Sequence, residues 1–227
     1  MLKPKKKITR KEIKKDPVLE KIAQAEHFIH EQGKMVIYAV IAVVVIIVLS
    51  ITMMRSKQNA NRVASGELGI AEMAIASGDY DNAIFQLEAL IDKNPGTKSA
   101  GMATLLLAQT YITKDDYENA EINFQKYIDD YHRDDMLIAA AYNGLGACVE
   151  RKENFEQAAK YFEKGGNKSP YKFMKYECYI NAVRNYIKLR DIEKAERLLK
   201  MMPEDDLDYK YKSQVDMLNA KIEVLKG

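Results

Sequence analysis

The pattern of apolar and polar positions changes period along the chain. From Met35 to Met54 there is no period at all: Met-Val-Ile-Tyr-Ala-Val-Ile-Ala-Val-Val-Val-Ile-Ile-Val-Leu-Ser-Ile-Thr-Met-Met carries no charge, no Pro and no Gly. A helix of this length spans about 30 Å, the hydrocarbon thickness of a bilayer. Twelve of these residues are Val, Ile or Leu, and at roughly −0.3 to −0.6 kcal/mol each, insertion is favourable by about 4–7 kcal/mol. The stretch predicts a transmembrane helix; core helices of soluble domains seldom stay apolar on every face for so long. Ahead of it, Val18, Ile22, Ala25 and Ile29 recur at helical spacing after Asp16-Pro17, a cap and first-turn pair. That predicts a short amphipathic helix behind a segment, 1–15, too charged to bury a core. Residues 55–64 are polar and read as a stalk, and from 65 to 227 amphipathic helical periods alternate with short polar turns.

These helical periods repeat. Gly78-Asp79-Tyr80-Asp81-Asn82-Ala83 is echoed by Asp115-Asp116-Tyr117-Glu118-Asn119-Ala120, by Glu153-Asn154-Phe155-Glu156-Gln157-Ala158 and by Arg190-Asp191-Ile192-Glu193-Lys194-Ala195, with alanines 37, 38 and 37 residues apart. Four residues after each alanine stands Leu87, Phe124, Phe162 or Leu199; twelve before it stands Ala71, Ala108, Gly146 or Val183; Tyr111 and Tyr186 lie nine before it. Pro95 and Pro170 close two units at one offset, and Pro203 closes the last slightly early. The pattern resembles that of tetratricopeptide repeats, in which small residues let two antiparallel helices approach, an aromatic fills the angle between them and Pro stops the second helix. Their usual period is about 34, so the extra residues fall in connections such as Gly96-Thr97-Lys98 and His132-Arg133-Asp134-Asp135.

The predicted helix pairs are 63–77 with 80–93, 99–113 with 117–131, 136–151 with 155–165, and 172–188 with 192–201. A last helix over 208–226 bears Tyr211, Val215, Leu218, Ile222 and Leu225 on one stripe, as a helix covering the open end of a repeat array must. The expected fold is all-α: one N-terminal transmembrane helix, then an α-solenoid of about four tetratricopeptide-like pairs and a C-terminal capping helix. The expected division is a basic tail with the amphipathic helix over 1–34, the span over 35–54, the stalk over 55–64 and the repeats over 65–227.

Charge adds an orientation. Residues 1–34 hold ten Lys or Arg against five acids, whereas 59–227 hold 23 basic and 28 acidic side chains. The positive-inside rule keeps the amino terminus in the cytoplasm and sends the repeats across the membrane. Close to the helix ends the bias is weaker, since Arg55, Lys57 and Arg62 follow the span. With 34 residues ahead of a twenty-residue apolar core, the expectation is a retained anchor, not a cleaved signal peptide. The basic tail suits anionic lipid; nucleic acid is not expected as a partner, because the outer domain is acidic and the tail lacks interleaved aromatics.

Catalytic chemistry is not expected. Three His and two Cys assemble no nucleophilic constellation, and there is no Gly-rich phosphate loop. No cofactor and no metal are expected: His27 and His30 lack a third ligand, and Glu204-Asp205-Asp206-Leu207-Asp208 lacks the Gly and distal Glu of a calcium loop. Cys148 and Cys178 fall too far apart in the repeat register to bond and are expected in the core. Function is sought on the concave face formed by the first helix of each pair. The register lines it with Leu68, Glu72, Ile75, Met102, Leu105, Gln109, Ile112, Asn143, Ala147, Glu150, Arg151, Ile180 and Arg184. Positions that clamp a terminal carboxylate in some repeat domains hold Leu68, Glu72, Leu106, Ala140 and Gly144, so the face suits an apolar or incompletely folded segment instead. A competing reading is that the terminal helix or a second copy covers part of it.

The run Phe28-Ile29-His30-Glu31-Gln32-Gly33-Lys34 directly before a single anchor, followed by stalk and repeats, resembles the YfgM-like family of ancillary subunits of the SecYEG translocon. That family carries Asn-Gly-Lys where Gln32 replaces Asn here. The resemblance implies an inner-membrane protein with a periplasmic repeat domain, and as partners translocon subunits, chaperones or exported chains. The expectation is a non-enzymatic adaptor. The alternative keeps the repeats but faces them to the cytosol, as an import receptor or assembly factor; the oligomeric state is left open.

Overall fold

One helix, α1, runs from Gly33 to Ala76 in the computed structural model, which describes residues 21–22, 26–27, 32–131 and 134–227. The amphipathic helix expected before the span lies largely outside the described residues; 21–22 and 26–27 are helical. Two compact units divide inside α1, at Lys57 and Gln58. The first contains an apolar stretch that is long and apolar enough to cross a membrane, with none of that window buried. Residues 55–64 are helical, so the first helix of the first pair does not begin at 63. It continues from the apolar stretch because nothing between 54 and 65, neither Pro nor Gly, interrupts it.

The second unit is a series of antiparallel pairs: the end of α1 with α2 (Tyr80–Lys93), α3 (Lys98–Thr113) with α4 (Tyr117–Asp130), α5 (Asp135–Arg151) with α6 (Phe155–Lys168), and α7 (Lys172–Lys188) with α8 (Ile192–Lys200). A 3₁₀ turn, Glu204–Asp206, leads to the terminal helix α9 (Tyr209–Lys226). No strand occurs among the described residues. The all-α reading and its helix boundaries hold to within a residue or two, with one exception besides α1. Helix α6 runs three residues beyond the expected stop at Gly165, because Gly165 and Gly166 are packing positions. A Cβ on Gly166 would lie 2.3 Å from the Tyr179 ring, and one on Gly165 would lie 3.1 Å from Cys178 Sγ.

Each part of the repeat motif has a structural cause. Ala83, Ala120, Ala158 and Ala195 are fully buried, as are Ala71, Ala108 and Val183. At the fourth small position a Cβ on Gly146 would come within 2.7 Å of the Phe162 ring, so α5 and α6 approach more closely than any larger residue permits. The turns within pairs are equally regular. Gly78, Asp115, Glu153 and Arg190 adopt φ of 79, 59, 59 and 58°, the left-handed position that ends a helix in a Schellman turn. The following N–H of Asp79, Asp116, Asn154 and Asp191 reaches back to the carbonyl of Ala74, Tyr111, Val149 and Tyr186. Those same four side chains then accept from the backbone of Asn82, Asn119, Gln157 and Lys194, capping the next helix. The Asp/Asn of the repeat is thus a cap, and the residue before it bears the backbone strain.

Two substitutions test this account by chemical or thermal denaturation. Gly146→Ala forces a Cβ into the Phe162 ring and should destabilise by about 1–3 kcal/mol. Glu153→Gly relieves the left-handed residue at an exposed turn and should stabilise by about 0.5–1 kcal/mol; no gain there would place the turn strain elsewhere.

Candidate protein-binding surface

The first helices of the pairs present one common face, and it divides in two. Toward the amino-terminal end its side chains are mostly apolar and half-buried: Leu68 and Ile75 from α1, with Met102, Leu106 and Ile112 from α3, beside the exposed polar Glu72 and Gln109. Toward the other end it is polar and internally bonded. Asn181 donates to Asn143 at 3.3 Å and accepts from Arg184 at 3.1 Å; Arg184 also donates to Gln214 of α9 at 2.8 Å. Lys188 pairs with Glu150 at 2.7 Å, and the Arg151 guanidinium lies over the Tyr117 ring, 5.2 Å from its centre.

Eight of the ten residues singled out as the leading candidates are at least partly accessible: Leu68, Glu72, Met102, Gln109, Asn143, Glu150, Arg151 and Arg184. Leu105 and Ile180 are not, at 3 % and 1 % exposure. They pack inside the core, Leu105 with Phe124 and Leu145, and Ile180 with the aromatic cluster of the last pairs. The reason is rotation: an apolar residue one position from the accessible row turns inward with the core stripe. Ala147, also expected on the face, is half-buried against the core. Asn181, Lys188 and Gln214 escaped notice in the sequence. The first two are signalled by the register, since Asn143 and Asn181, and Glu150 and Lys188, are complementary residues 38 apart. The terminal helix therefore does reach this face, through Gln214, while Tyr211, Val215, Leu218 and Ile222 bury its other side.

At one carboxylate-clamp position, Gly144, the Phe124 ring occupies the space where a side chain would begin, 2.3 Å from an ideal Cβ. The acidic run after Pro203 forms the turn into α9. Asp208 caps the helix by accepting from Tyr211 N–H, and Lys212 lies 3.8 Å from Glu204. Among the described residues no group of three or more His, Cys, Asp or Glu is placed to hold a metal ion; His30 lies outside them.

Titratable groups behave as framework. Burial, followed by the hydrogen bond to Glu88, pushes the Tyr111 hydroxyl to about 12; burial and the nearby Glu163 carboxylate push Tyr186 to about 12. Each hydroxyl bridges to the preceding pair, 2.9 Å to Glu88 and 3.0 Å to Glu163, so Tyr nine residues before the alanine ties one repeat to the last. Both cysteines are free and buried, and burial raises Cys148 to about 11 and Cys178 to about 12. They are poor nucleophiles.

Comparison with known proteins settles what this scaffold is. The family described as "Tetratricopeptide repeat-like domain" matches residues 26–175, taking in the apolar part of α1 and the first three pairs. The chain belongs to that family. Similar solved structures include the MamA protein, at 15 % identity over 71 % of this chain and 89 % of that one, TM-score 0.53. Another is PilW, a type IV pilus biogenesis factor, at 17 % identity over 72 % and 78 %, TM-score 0.52. BtubC from P. vanneervenii matches at 14 % identity over 93 % and 90 %, TM-score 0.51. At these identities the likeness is one of fold. Among curated proteins no sequence matches this chain significantly. Tetratricopeptide-like repeats generally mediate protein–protein interactions.

The raised tyrosine and thiol values fix the sign of the alkaline response. A group held protonated by the fold stabilises it fully below its ordinary value and loses that contribution as pH rises through the folded one. Stability should therefore hold to about pH 9, the ordinary thiol value, and fall as pH approaches about 12, where Tyr111 and Tyr186 ionise. The check is denaturant unfolding at stepped pH with phenolate absorbance; phenolate appearing near the ordinary value of 10 for all tyrosines, with helicity intact, would contradict it.

Proposed function

We propose that this protein is a non-enzymatic, membrane-anchored adaptor whose repeat domain engages apolar or incompletely folded segments of other proteins. The observation that carries the reading is the pairing, inside one family match, of an unburied apolar helix with repeats whose first-helix face is partly open and apolar. The proposed layout is a basic cytoplasmic tail over 1–34, an inner-membrane span over 35–54, a helical stalk over 55–64 and a periplasmic repeat domain over 65–227. Ten basic residues ahead of the span support the amino terminus inside. The resemblance around residues 28–34 supports a place near the export translocon and its chaperones, with exported chains as clients. Leu68, Ile75, Met102 and Ile112 would receive an apolar segment, Met102 with adaptable packing. Glu72 and Gln109 would fix its polar groups. Confinement at the membrane raises the effective concentration of the domain for membrane-bound partners.

The bias of basic residues weakens near the span, where Lys34 faces Arg55 and Lys57, and this favours testing the reversed orientation, a cytosolic receptor or assembly factor. Protease added to spheroplasts should cut the repeat domain; protection would give the cytosolic reading. Photo-crosslinkers at Met102, Gln109 and Arg184 should capture translocon subunits, chaperones or nascent exported chains. Met102→Glu should lower that capture about tenfold, equivalent to about 1.4 kcal/mol. Capture of none of these classes from three accessible positions counts against the export reading.

A further inference from the structure

The open amino-terminal end of the repeat array carries an apolar stripe. Val63, Ile70 and Met73 of α1 are 49, 57 and 73 % exposed, although each sits at a position that the next two repeats bury. Shifted by 37 residues, Val63, Gly66, Ile70 and Met73 fall on Ala100, Ala103, Leu107 and Thr110 of α3, none more than 3 % exposed. Shifted by 75 they fall on Ile138, Ala141, Leu145 and Cys148 of α5, none above 5 %. In α3 the first three pack with Leu87, Leu90 and Ile91 of the preceding pair, and in α5 all four pack with Phe124 and Tyr127. The stripe on α1 is thus the inter-repeat interface with no preceding repeat among the described residues, and a Cβ on Gly66 would meet nothing within 4 Å. The stripe is distinct from the first-helix face: Leu68 and Glu72 lie about a third of a turn or more round the helix from it.

We infer that the occupant is a second copy of this chain, packed through the same stripe in a parallel, two-fold dimer. The steps 63, 66, 70, 73 are three, four and three residues, the spacing at which two parallel helices interdigitate as a coiled coil. Val63 and Ile70 fall at the a positions of such a seam, where β-branched side chains favour two strands. An isologous interface needs one patch that meets itself. Copies inserted in the membrane with one orientation present α1 in parallel, which makes the stripe self-complementary. This step rests on the anchor reading given above. The seam leaves the first-helix faces of both copies outside the interface, so dimerisation would double the partner-binding surface.

The test uses the full chain in its native membrane, with cysteine placed singly at Val63, Gly66, Ile70 or Met73, and at Glu72 as the off-stripe control. The buried native thiols, Cys148 and Cys178, stay silent at neutral pH. Mild oxidation should give a disulfide-linked dimer at stripe positions at least tenfold above Glu72→Cys. Carbonate washing precedes oxidation and separates the two failures. Protein stripped from the membrane overturns the anchor reading and with it the parallel alignment. Protein retained in the membrane but crosslinked no better than Glu72→Cys, or crosslinked to another polypeptide, overturns the dimer alone. Ile70→Glu in the full chain in mild detergent should sediment as a monomer with an unchanged helical melting curve, since its side chain is outside the core; a persistent dimer overturns the assignment of the seam.

Discussion

The closeness with which two helices of a pair can approach governs this molecule. An alanine at 83, 120, 158 or 195, fully buried in every repeat, faces a small residue twelve positions earlier, and a Leu or Phe four positions later closes the angle. Replace the small residue by something larger and the ring has nowhere to go, as the 2.7 Å separation between an ideal Cβ at Gly146 and Phe162 makes plain. Because interiors pack to crystal-like density, the volume of these few positions sets interaxial distance and hence the curvature of the array.

That constraint also sorts the side chains of each first helix into three rows. One row closes the pair, one meets the preceding pair, and the third stays partly accessible. The second row explains why α6 continues through two glycines and why Tyr111 and Tyr186 reach back to Glu88 and Glu163. On α1 this row has no preceding pair among the described residues, so Val63, Ile70 and Met73 stay exposed. The third row is divided by electrostatics. Its carboxy-terminal half satisfies itself through Asn143, Asn181, Arg184 and Gln214, so a ligand there must exchange hydrogen bonds one for one and gains little. The amino-terminal half offers apolar area that water solvates poorly, where burial is worth about 25 cal/mol per Å².

The sequence by itself determined the repeat. Period, caps, turns, small positions and the terminal helix are local or near-local features, enforced by helical geometry and by one residue type per position. So are the apolar stretch of α1 and the charge asymmetry around it. Tertiary structure alone decided which members of a row face outward. Leu105 and Gln109 lie on the same helix face to within a residue, yet one is core and the other solvent, because a rotation of some tens of degrees in the packing of α3 moves a row across the surface boundary. It likewise decided that Gly165 and Gly166 continue a helix they would end in isolation, since the ring of Tyr179 and the sulfur of Cys178 occupy the space a Cβ would need. Period is written in the chain; the angle at which each helix settles depends on neighbours 23 to 38 residues away.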